Sequence, residues 1–350
     1  PALIETLLGA VRPDLGVLPC GWLPLDIDVF PMDNSGTAKE GVGRTYTGVD
    51  GYCPLAAYLG TQGYCLELAL RPGVQHSASG TQLDLKRIVP MAQRLSAGGG
   101  KAPILVRLDA GFDSADLMRE MAACNSAGLP RVDWLIKWNP RKTEVATLAA
   151  LLDANQATRW QHPRAGKRVT VWDEQVRIEG FERPMRRVMR LTERTIDAKG
   201  QLLIEPQWVL EGWSTTLAGR QFDAQAIITL YEGHGAHEQF HSEFKTDLDL
   251  ERLPSGKFAT NHLVCSLAAV AMNLLRIVGQ HTLHESDSPL RKSALRRRIK
   301  TVMQELIYRA ARLIDHLDRF EWPAADEAAV DLTPAGALDA WLSTRTDGAG

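Results

Sequence analysis

The sequence has few cysteines, no targeting segment and almost no net charge. The cysteines are odd in number and form no CxxC pair, which argues against a disulfide framework or a zinc site: Cys20, Cys53, Cys65, Cys124 and Cys265. No secretory pattern opens the chain, and no uncharged apolar run is long enough to span a bilayer. We therefore expect a protein of a reducing cytoplasm, without a membrane segment.

The formal net charge of −2 does not by itself predict a nucleic-acid partner. The basic residues are clustered, however, in two groups: Arg183, Arg186, Arg187, Arg190 and Arg194, and Arg291, Lys292, Arg296, Arg297, Arg298 and Lys300. Such clusters bind phosphate backbones or form solvated faces, and both interpretations stay open. Lys39 and Arg44 in an early polar loop have the same two interpretations.

The order of apolar runs predicts an α/β fold. Residues 23–30, 51–59 and 64–70 indicate three antiparallel strands, the last two joined as a hairpin. A helix over 81–95, a buried strand over 103–108, a helix over 114–127 and a strand over 132–138 follow. This order is typical of an RNase H-like catalytic core, a mixed sheet flanked by helices. It is interrupted by a β-rich insertion and followed by late helices, including one over 258–278.

We divide the chain into six segments. They are an N-terminal approach segment (1–22), the first part of the core (23–155), the β-rich insertion (156–218), the late helices of the core (219–285), a basic helical segment (286–322) and a loose tail (323–350). The first residue is Pro1 rather than Met. We therefore interpret the chain as a fragment or processed product, with 1–22 as the candidate remnant of a DNA-binding region.

Aspartates lie at the ends of two predicted strands, Asp28 on the first and Asp109 on the fourth. The predicted strand order places these strands side by side. Asp26 and Asp33 compete with Asp28, and alternation does not separate Asp26 from Asp28 because both share a strand face. Asp109 has a structural interpretation as a turn residue, since Asp and Ser commonly cap the next helix.

A late segment from Tyr231 to Lys245 carries a polar set. If it is one α-helix at about 100° per residue, Tyr231, His234, Glu238 and Lys245 fall within an arc of roughly 60°. Glu232 and Glu243 compete with Glu238 but lie off this face. His237 and His241 flank Glu238 at helical distance; one interpretation is that they tune this carboxylate, and the preferred one is a surface or packing role. Three carboxylates from distant positions suffice for a two-ion phosphoryl-transfer site if the fold brings them together.

These blocks resemble the three catalytic blocks of DDE transposases. The residues concerned are Asp28 in Leu-Asp-Ile-Asp-Val, Asp109 in Arg-Leu-Asp-Ala-Gly-Phe, and the set Tyr231, His234, Glu238 and Lys245. The insertion-sequence four supergroup, with its Tyr-Arg-Glu-Lys signature after a β-strand insertion, is the most similar. The loop sequences Asp33-Asn-Ser-Gly-Thr-Ala-Lys-Glu-Gly and Tyr46-Thr-Gly-Val-Asp-Gly-Tyr52 indicate its thirteen-eighty branch.

The resemblance implies cleavage of double-stranded DNA at transposon ends and strand transfer into target DNA. Asp28, Asp109 and Glu238 would hold two Mg²⁺ ions, with Mn²⁺ as a substitute, and Tyr231 and Lys245 would contact phosphates. His234 replaces the arginine of the signature and cannot form its bidentate fork, so Arg220 and Arg252 are alternative donors of charge. Trp208, with Trp213 as its rival, would stack on a flipped base.

The resemblance also implies a homodimer on DNA, in the cytoplasm of a bacterium and associated with its nucleoid. Two other hypotheses stay open. One is a different RNase H-like nuclease, which needs the same carboxylates but gives only hydrolytic products. The other is a truncated, catalytically inert transposase that binds DNA or other subunits.

Overall fold

The computed structural model describes residues 1–140, 143–197, 199–283 and 294–308. These contain eight α-helices and twelve strands: α1 (Ala2–Val11), β1 (Leu23–Val29), β2 (Met32–Asp33), β3 (Gly43–Arg44), β4 (Asp50–Tyr52), β5 (Leu55–Leu59), β6 (Tyr64–Ala69), α2 (Thr81–Gly98), β7 (Ile104–Leu108), α3 (Ala115–Ala123), β8 (Val132–Trp138), α4 (Val145–Ala154), β9 (Gln161–Arg164), β10 (Lys167–Val176), β11 (Met185–Ile196), β12 (Leu202–Thr215), α5 (Ala224–Glu232), α6 (His237–Ser242), α7 (Phe258–Leu283) and α8 (Ile299–Leu306).

The main sheet has nine strands in the order β6-β5-β1-β7-β8-β12-β11-β10-β9. β1 pairs antiparallel with β5 and parallel with β7, and β7 pairs parallel with β8. These are the strand order and directions of an RNase H-like core, as predicted. Every residue of β7 is buried, as expected of a continuous apolar run at the centre of a sheet covered on both faces.

Strands fill the predicted β-rich stretch, and they extend the core's own sheet. β12 pairs antiparallel with β8 from Gly212 opposite Trp138 to Thr215 opposite Leu135. β11 and β10 follow outward as long antiparallel partners. The limits 156–218 stay a prediction, because the strands on the two sides of this division belong to one hydrogen-bonded sheet.

Helix α7 covers the other edge of this sheet. Asn273 accepts a hydrogen bond from the backbone N–H of Cys65 in β6 (2.8 Å) and donates one to the Cys65 carbonyl (2.7 Å). A side-chain amide thus satisfies backbone groups of an edge strand, which would otherwise be open to pairing with another chain. By length and composition alone, α7 is long and apolar enough to cross a membrane. Its Asn273 and Arg276 side chains are buried within the fold.

The structure separates Pro1–Ile299 from Lys300–Gly350 as two compact units. The first unit contains the whole main sheet. Of the predicted basic helical segment 286–322, helix α8 is described, while residues 286–293 and 309–322 lie outside the described residues. The predicted tail 323–350 and the predicted cluster members Arg291 and Lys292 also lie outside them.

Candidate active site

Asp28 lies at the end of β1, beside the centre of the sheet. Its Oδ1 accepts a hydrogen bond from the backbone N–H of Val29 (2.8 Å), and its Oδ2 lies 2.8 Å from Nε2 of His237. Burial opposes ionisation of this carboxyl. The hydrogen bond from His237 and the charges of nearby imidazoles outweigh burial, so the pKa of Asp28 is lowered. Asp28 is therefore a carboxylate, with 13% of its side chain exposed.

Asp26 is the competing aspartate on the same strand face, and both of its carboxylate oxygens have side-chain partners. Arg107 donates from Nε to Oδ1 (2.6 Å) and from Nη2 to Oδ2 (2.7 Å), and Nδ1 of His234 lies 2.9 Å from Oδ1. Although burial alone would raise the pKa of Asp26, Arg107 and His234 hold it well below its ordinary value. Asp26 is also the more buried of the two, with 4% of its side chain exposed against 13% for Asp28, so Asp28 is the more accessible carboxylate.

Asp109 follows β7 directly and lies next to Asp28 in register. Ile27 of β1 pairs with Leu108 of β7, so the following residues, Asp28 and Asp109, extend from adjacent parallel strands about 4.8 Å apart. Asp109 Oδ1 accepts the Gly111 N–H (2.9 Å), which is the turn-capping role foreseen as its structural alternative. Burial, and then the negative charge of Asp28, raise the pKa of Asp109. The two carboxylates thus repel each other, which is the condition that a bound cation relieves.

The late polar segment is helical throughout, but it is not one α-helix. A 3₁₀ turn over Gly233–Ala236 separates α5 from α6, and a π-helical turn over Glu243–Asp247 follows α6. A 3₁₀ turn advances about 120° per residue and a π turn less than 100°, so the assumed uniform register is wrong. Gly233 and Gly235 both lie within the tight turn and have low helix propensity.

The change of pitch separates the members of the predicted face. His234 is buried (3% exposed) against Asp26, whereas the predicted phosphate contact would need an accessible imidazole. Glu238 is the exposed member, with 75% of its side chain open, and its Oε1 lies 3.9 Å from Nε2 of His237. Tyr231 is half-buried, with its ring 6.0 Å from that of Trp213. Lys245 lies in the π turn, where its Nζ is 3.0 Å from Glu251.

The competing glutamates have other partners. Glu243 is buried, with 1% of its side chain exposed, and forms a close ion pair with Arg276. Glu232 pairs with Arg190 (2.9 Å) at the start of the 3₁₀ turn. Glu238 alone of the three lies beside the imidazole that contacts Asp28. The competing Asp33 caps a local turn by accepting the Ser35 N–H (2.8 Å).

Tyr46 is a further candidate residue, near the candidate carboxylates, that the sequence interpretation missed. It lies in the turn between β3 and β4, and its ring is exposed while its hydroxyl donates inward to the Val29 carbonyl (3.3 Å). Burial of the hydroxyl, and then the negative charges of Asp28, Asp109 and Glu238 among others, raise its pKa. The charges of all three candidate carboxylates thus act on the Tyr46 hydroxyl. The only hint in the sequence was its place in the loop block Tyr46-Thr-Gly-Val-Asp-Gly-Tyr52.

The two tryptophans predicted as candidates for base stacking, Trp208 and Trp213, pack against neighbouring side chains. Trp208 lies against a small cluster of buried residues in β11, β12 and α4, with the Arg168 guanidinium 5.5 Å from its ring. Trp213 is 1% exposed and lies 5.1 Å below the Arg190 guanidinium. In neither case does the structure show an aromatic face open to a base.

Many of the clustered basic residues already have acidic partners. Arg186 pairs with Asp173 (2.7 Å), and Arg190 pairs with Glu211 (2.6 Å). Lys39 donates to Asn34 (2.9 Å) and closely to the Leu253 carbonyl, and Arg44 lies 3.0 Å from Asp50. Lys39 therefore joins two loops, which favours its structural interpretation over a DNA contact.

Three side chains beside Asp109 form a second possible ligand group. Ligand atoms of Asp28, His237 and His241 all lie within 4.8 Å of one another. The carboxylates Asp28, Asp109 and Glu238 thus share this corner of the sheet with two buried imidazoles.

Residues 15–329 match the family described as "Transposase DDE domain group 1". No curated protein matches the chain. A solved structure, the "piggyBac transposase synaptic complex with hairpin DNA", is similar with 10% identity and a TM-score of 0.40, over 81% of this chain and 51% of that chain. The chain thus spans about half the length of that protein. Since the family match covers most of the sequence, the chain belongs to the transposase DDE domain family, group 1.

Proposed function

We propose that the protein is a transposase that cuts double-stranded DNA at transposon ends and transfers the cut strand into target DNA. The observation that supports this most directly is the placement of Asp28 and Asp109 at the ends of adjacent parallel strands, with mutual charge repulsion. Glu238 is the third proposed carboxylate, because the imidazole of His237 lies near both Asp28 and Glu238.

The donor set fits hard divalent cations. All three side chains offer oxygen ligands, which Mg²⁺ and Mn²⁺ prefer, and Glu238 is open to solvent. Two such ions, when bound, would polarise the scissile phosphate and stabilise the attacking and leaving oxygens of an in-line displacement. Asp28, Asp109 and Glu238 are the residues that we propose hold them.

Other residues of the site would position the DNA. Burial and the charges of Asp109 and Asp28 raise the pKa of Tyr231, so its phenol stays protonated and can donate to a phosphate oxygen. Tyr46 keeps its proton for the same reason. The ammonium of Lys245 pairs with Glu251 in the structure. On DNA binding it would pair with a phosphate of the DNA backbone instead. His234 serves a different role, because through Asp26 and Arg107 it fixes β1 against β7.

Finer features follow the resemblance and are proposed with it. They are membership of the thirteen-eighty branch of the insertion-sequence four supergroup, a homodimer that pairs two transposon ends, action in the bacterial cytoplasm on the nucleoid, and base stacking by Trp208. This last role would require Trp208 to leave its present cluster.

The test is a strand-transfer assay. A donor carrying the DNA that flanks the gene is incubated with target plasmid and Mg²⁺ or Mn²⁺, and joined products are sequenced. We expect joined strands from the wild type and none from Asp109→Asn, while Glu232→Gln, whose carboxylate pairs with Arg190, serves as the matched control. Products cut but never joined would identify a nuclease instead. Joining that persists in Asp109→Asn would refute the assignment.

A further inference from the structure

The imidazoles of His237 and His241 lie close to the carboxylate of Asp28. Both histidines are buried, at 6% and 4% exposure, and their rings meet edge to face with centroids 4.9 Å apart. They lie one turn apart on α6, so the helix presents both to the same strand end. The proposed DNA chemistry uses neither imidazole as a ligand.

The hydrogen-bond partner of His237 fixes which nitrogen faces Asp28. Its Nδ1 lies in close contact with the carbonyl oxygen of His234, an acceptor, so Nδ1 carries a hydrogen and donates it. Nε2 then points at Oδ2 of Asp28 from 2.8 Å. A neutral imidazole would place its lone pair against a carboxylate there. A cation must therefore occupy this contact, and it is either a proton or a metal ion.

His241 supplies a second nitrogen. Its ring is buried and stacks on Phe30 with centroids 4.3 Å apart. Its Nε2 is buried and has no hydrogen-bond partner among the described residues. Buried polar atoms without a partner are uncommon and call for an explanation, such as an absent ion.

We propose that Asp28, His237 and His241 form a site for a divalent transition-metal ion of the Zn²⁺ or Co²⁺ type. One carboxylate oxygen and two imidazole nitrogens within 4.8 Å are close to what a single ion with bonds of about 2.0–2.2 Å can join. Imidazole ligands favour such ions over Mg²⁺. The bond from His237 Nδ1–H to a backbone carbonyl is the outer contact that orients metal-binding histidines.

This site would share Asp28 with the proposed catalytic ions. A transition-metal ion held there would occupy a ligand that the DNA reaction needs, so it would compete with Mg²⁺. Only this competition rests on the proposed function. The site itself rests on the three side chains and their contacts.

The site is tested by titrating metal-free protein, purified without a histidine tag, with Co²⁺ and recording its ligand-field absorption in excess Mg²⁺. We expect one Co²⁺ per chain with nitrogen ligation. His241→Phe, which keeps the ring beside Phe30, and His237→Gln should each weaken binding at least tenfold. His162→Ala, which removes an exposed histidine elsewhere, should bind as the wild type does. Thermal unfolding of each variant establishes that it is folded.

Asp109→Asn separates the two proposals, because Asp109 is no ligand of this site. It should lose strand transfer and keep the Co²⁺ spectrum. If the wild type shows no nitrogen-ligated Co²⁺, or if both folded histidine variants bind Co²⁺ as tightly as the wild type, the inference is overturned. The contact between His237 and Asp28 is then a proton-bridged ion pair. Neither outcome depends on whether strand transfer is observed.

Discussion

The Nε2 atom of His237 lies 2.8 Å from Oδ2 of Asp28 and 3.9 Å from Oε1 of Glu238. One imidazole thus links the carboxylate on the first strand of the core with the carboxylate on the late helix. Because His237 points inward, its neighbour Glu238 points outward into solvent. This contact, rather than a uniform helical face, supports Glu238 as the proposed third carboxylate.

The two late glutamates should respond oppositely to removal of charge. Glu243→Gln would leave the Arg276 guanidinium buried without a balancing charge, so we expect a loss of roughly 3–5 kcal/mol in the free energy of unfolding. Glu238→Gln, at an exposed position, should change that free energy by less than about 0.5 kcal/mol and abolish strand transfer. Urea unfolding and the transfer assay measure both effects. Equal stability of the two variants would contradict the assignment.

Asp109→Asn should stabilise the metal-free protein while it removes activity. Burial and the charge of Asp28 disfavour the ionised carboxyl of Asp109, and the amide removes that charge. We expect a rise in Tm of the order of 2 °C at neutral pH and low salt. The exposed Asp14→Asn is the control for loss of one negative charge. A lower Tm for Asp109→Asn than for Asp14→Asn would show that the carboxylates do not repel.

Tyr46→Phe tests the residue that the sequence interpretation missed. The substitution keeps the exposed ring and removes one hydroxyl, whose hydrogen bond to the Val29 carbonyl is worth about 0.5–1.5 kcal/mol. If the protonated phenol assists DNA binding beside the three carboxylates, strand transfer should fall about tenfold, equivalent to about 1.4 kcal/mol. Tyr308→Phe, another exposed tyrosine, is the control. Wild-type transfer rates in Tyr46→Phe would assign Tyr46 a role in the loop alone.

The thiol of Cys53 should make the protein less stable in alkali. Burial raises its pKa from 9.0 to about 11. The unfolded thiol ionises near pH 9 and the folded thiol only near pH 11, so the unfolded state binds fewer protons between these values. Stability is then lost as pH rises, by up to about 1.4 kcal/mol per pH unit.

Comparison of urea unfolding at pH 8 and pH 10.5 between the wild type and Cys53→Ala isolates this thiol. We expect a smaller alkaline loss in the variant. Cys20→Ala, at a partly exposed cysteine, serves as the matched control. Identical pH dependence of wild type and Cys53→Ala would contradict the prediction.

Lys39→Met should affect stability rather than DNA affinity. The ammonium bonds Asn34 and the Leu253 carbonyl, and its loss would leave buried acceptors with fewer partners. We expect a cost of about 1–3 kcal/mol in the free energy of unfolding and unchanged binding to DNA at a given salt concentration. Lys86→Met, at an exposed lysine, gives the baseline for loss of a positive charge. A large loss of DNA affinity in folded Lys39→Met would restore the DNA-contact interpretation.

The sequence could predict the core because its strands are short apolar runs of the expected length. Val132–Trp138 was predicted to the residue, and Ile104–Leu108 to within one. Burial on both faces leaves a continuous apolar run that composition alone reveals. The side-by-side placement of Asp28 and Asp109 followed from the strand order and is confirmed by the register.

The helical register could not be predicted in the same way. The 3₁₀ and π turns around α6 arise from packing of His234, His237 and Phe244 into the core, and a single-period projection contains no such information. The choice between Asp26 and Asp28 likewise depended on Arg107, which reaches Asp26 across 81 positions of sequence. Local pattern specifies neither contact.

The nine strands form one unbroken ladder from β6 to β9. Backbone hydrogen bonds therefore join the strands of the insertion to the catalytic strands, since β12 bonds directly to β8. A force applied to the outermost strands, β9 and β10, would be transmitted through the backbone hydrogen bonds of the sheet. Because β12 also leads along the chain to α5, the same strand connects that force to the helical segment that bears Glu238. A change in the twist of the outer strands would therefore reach Asp28 through the sheet itself.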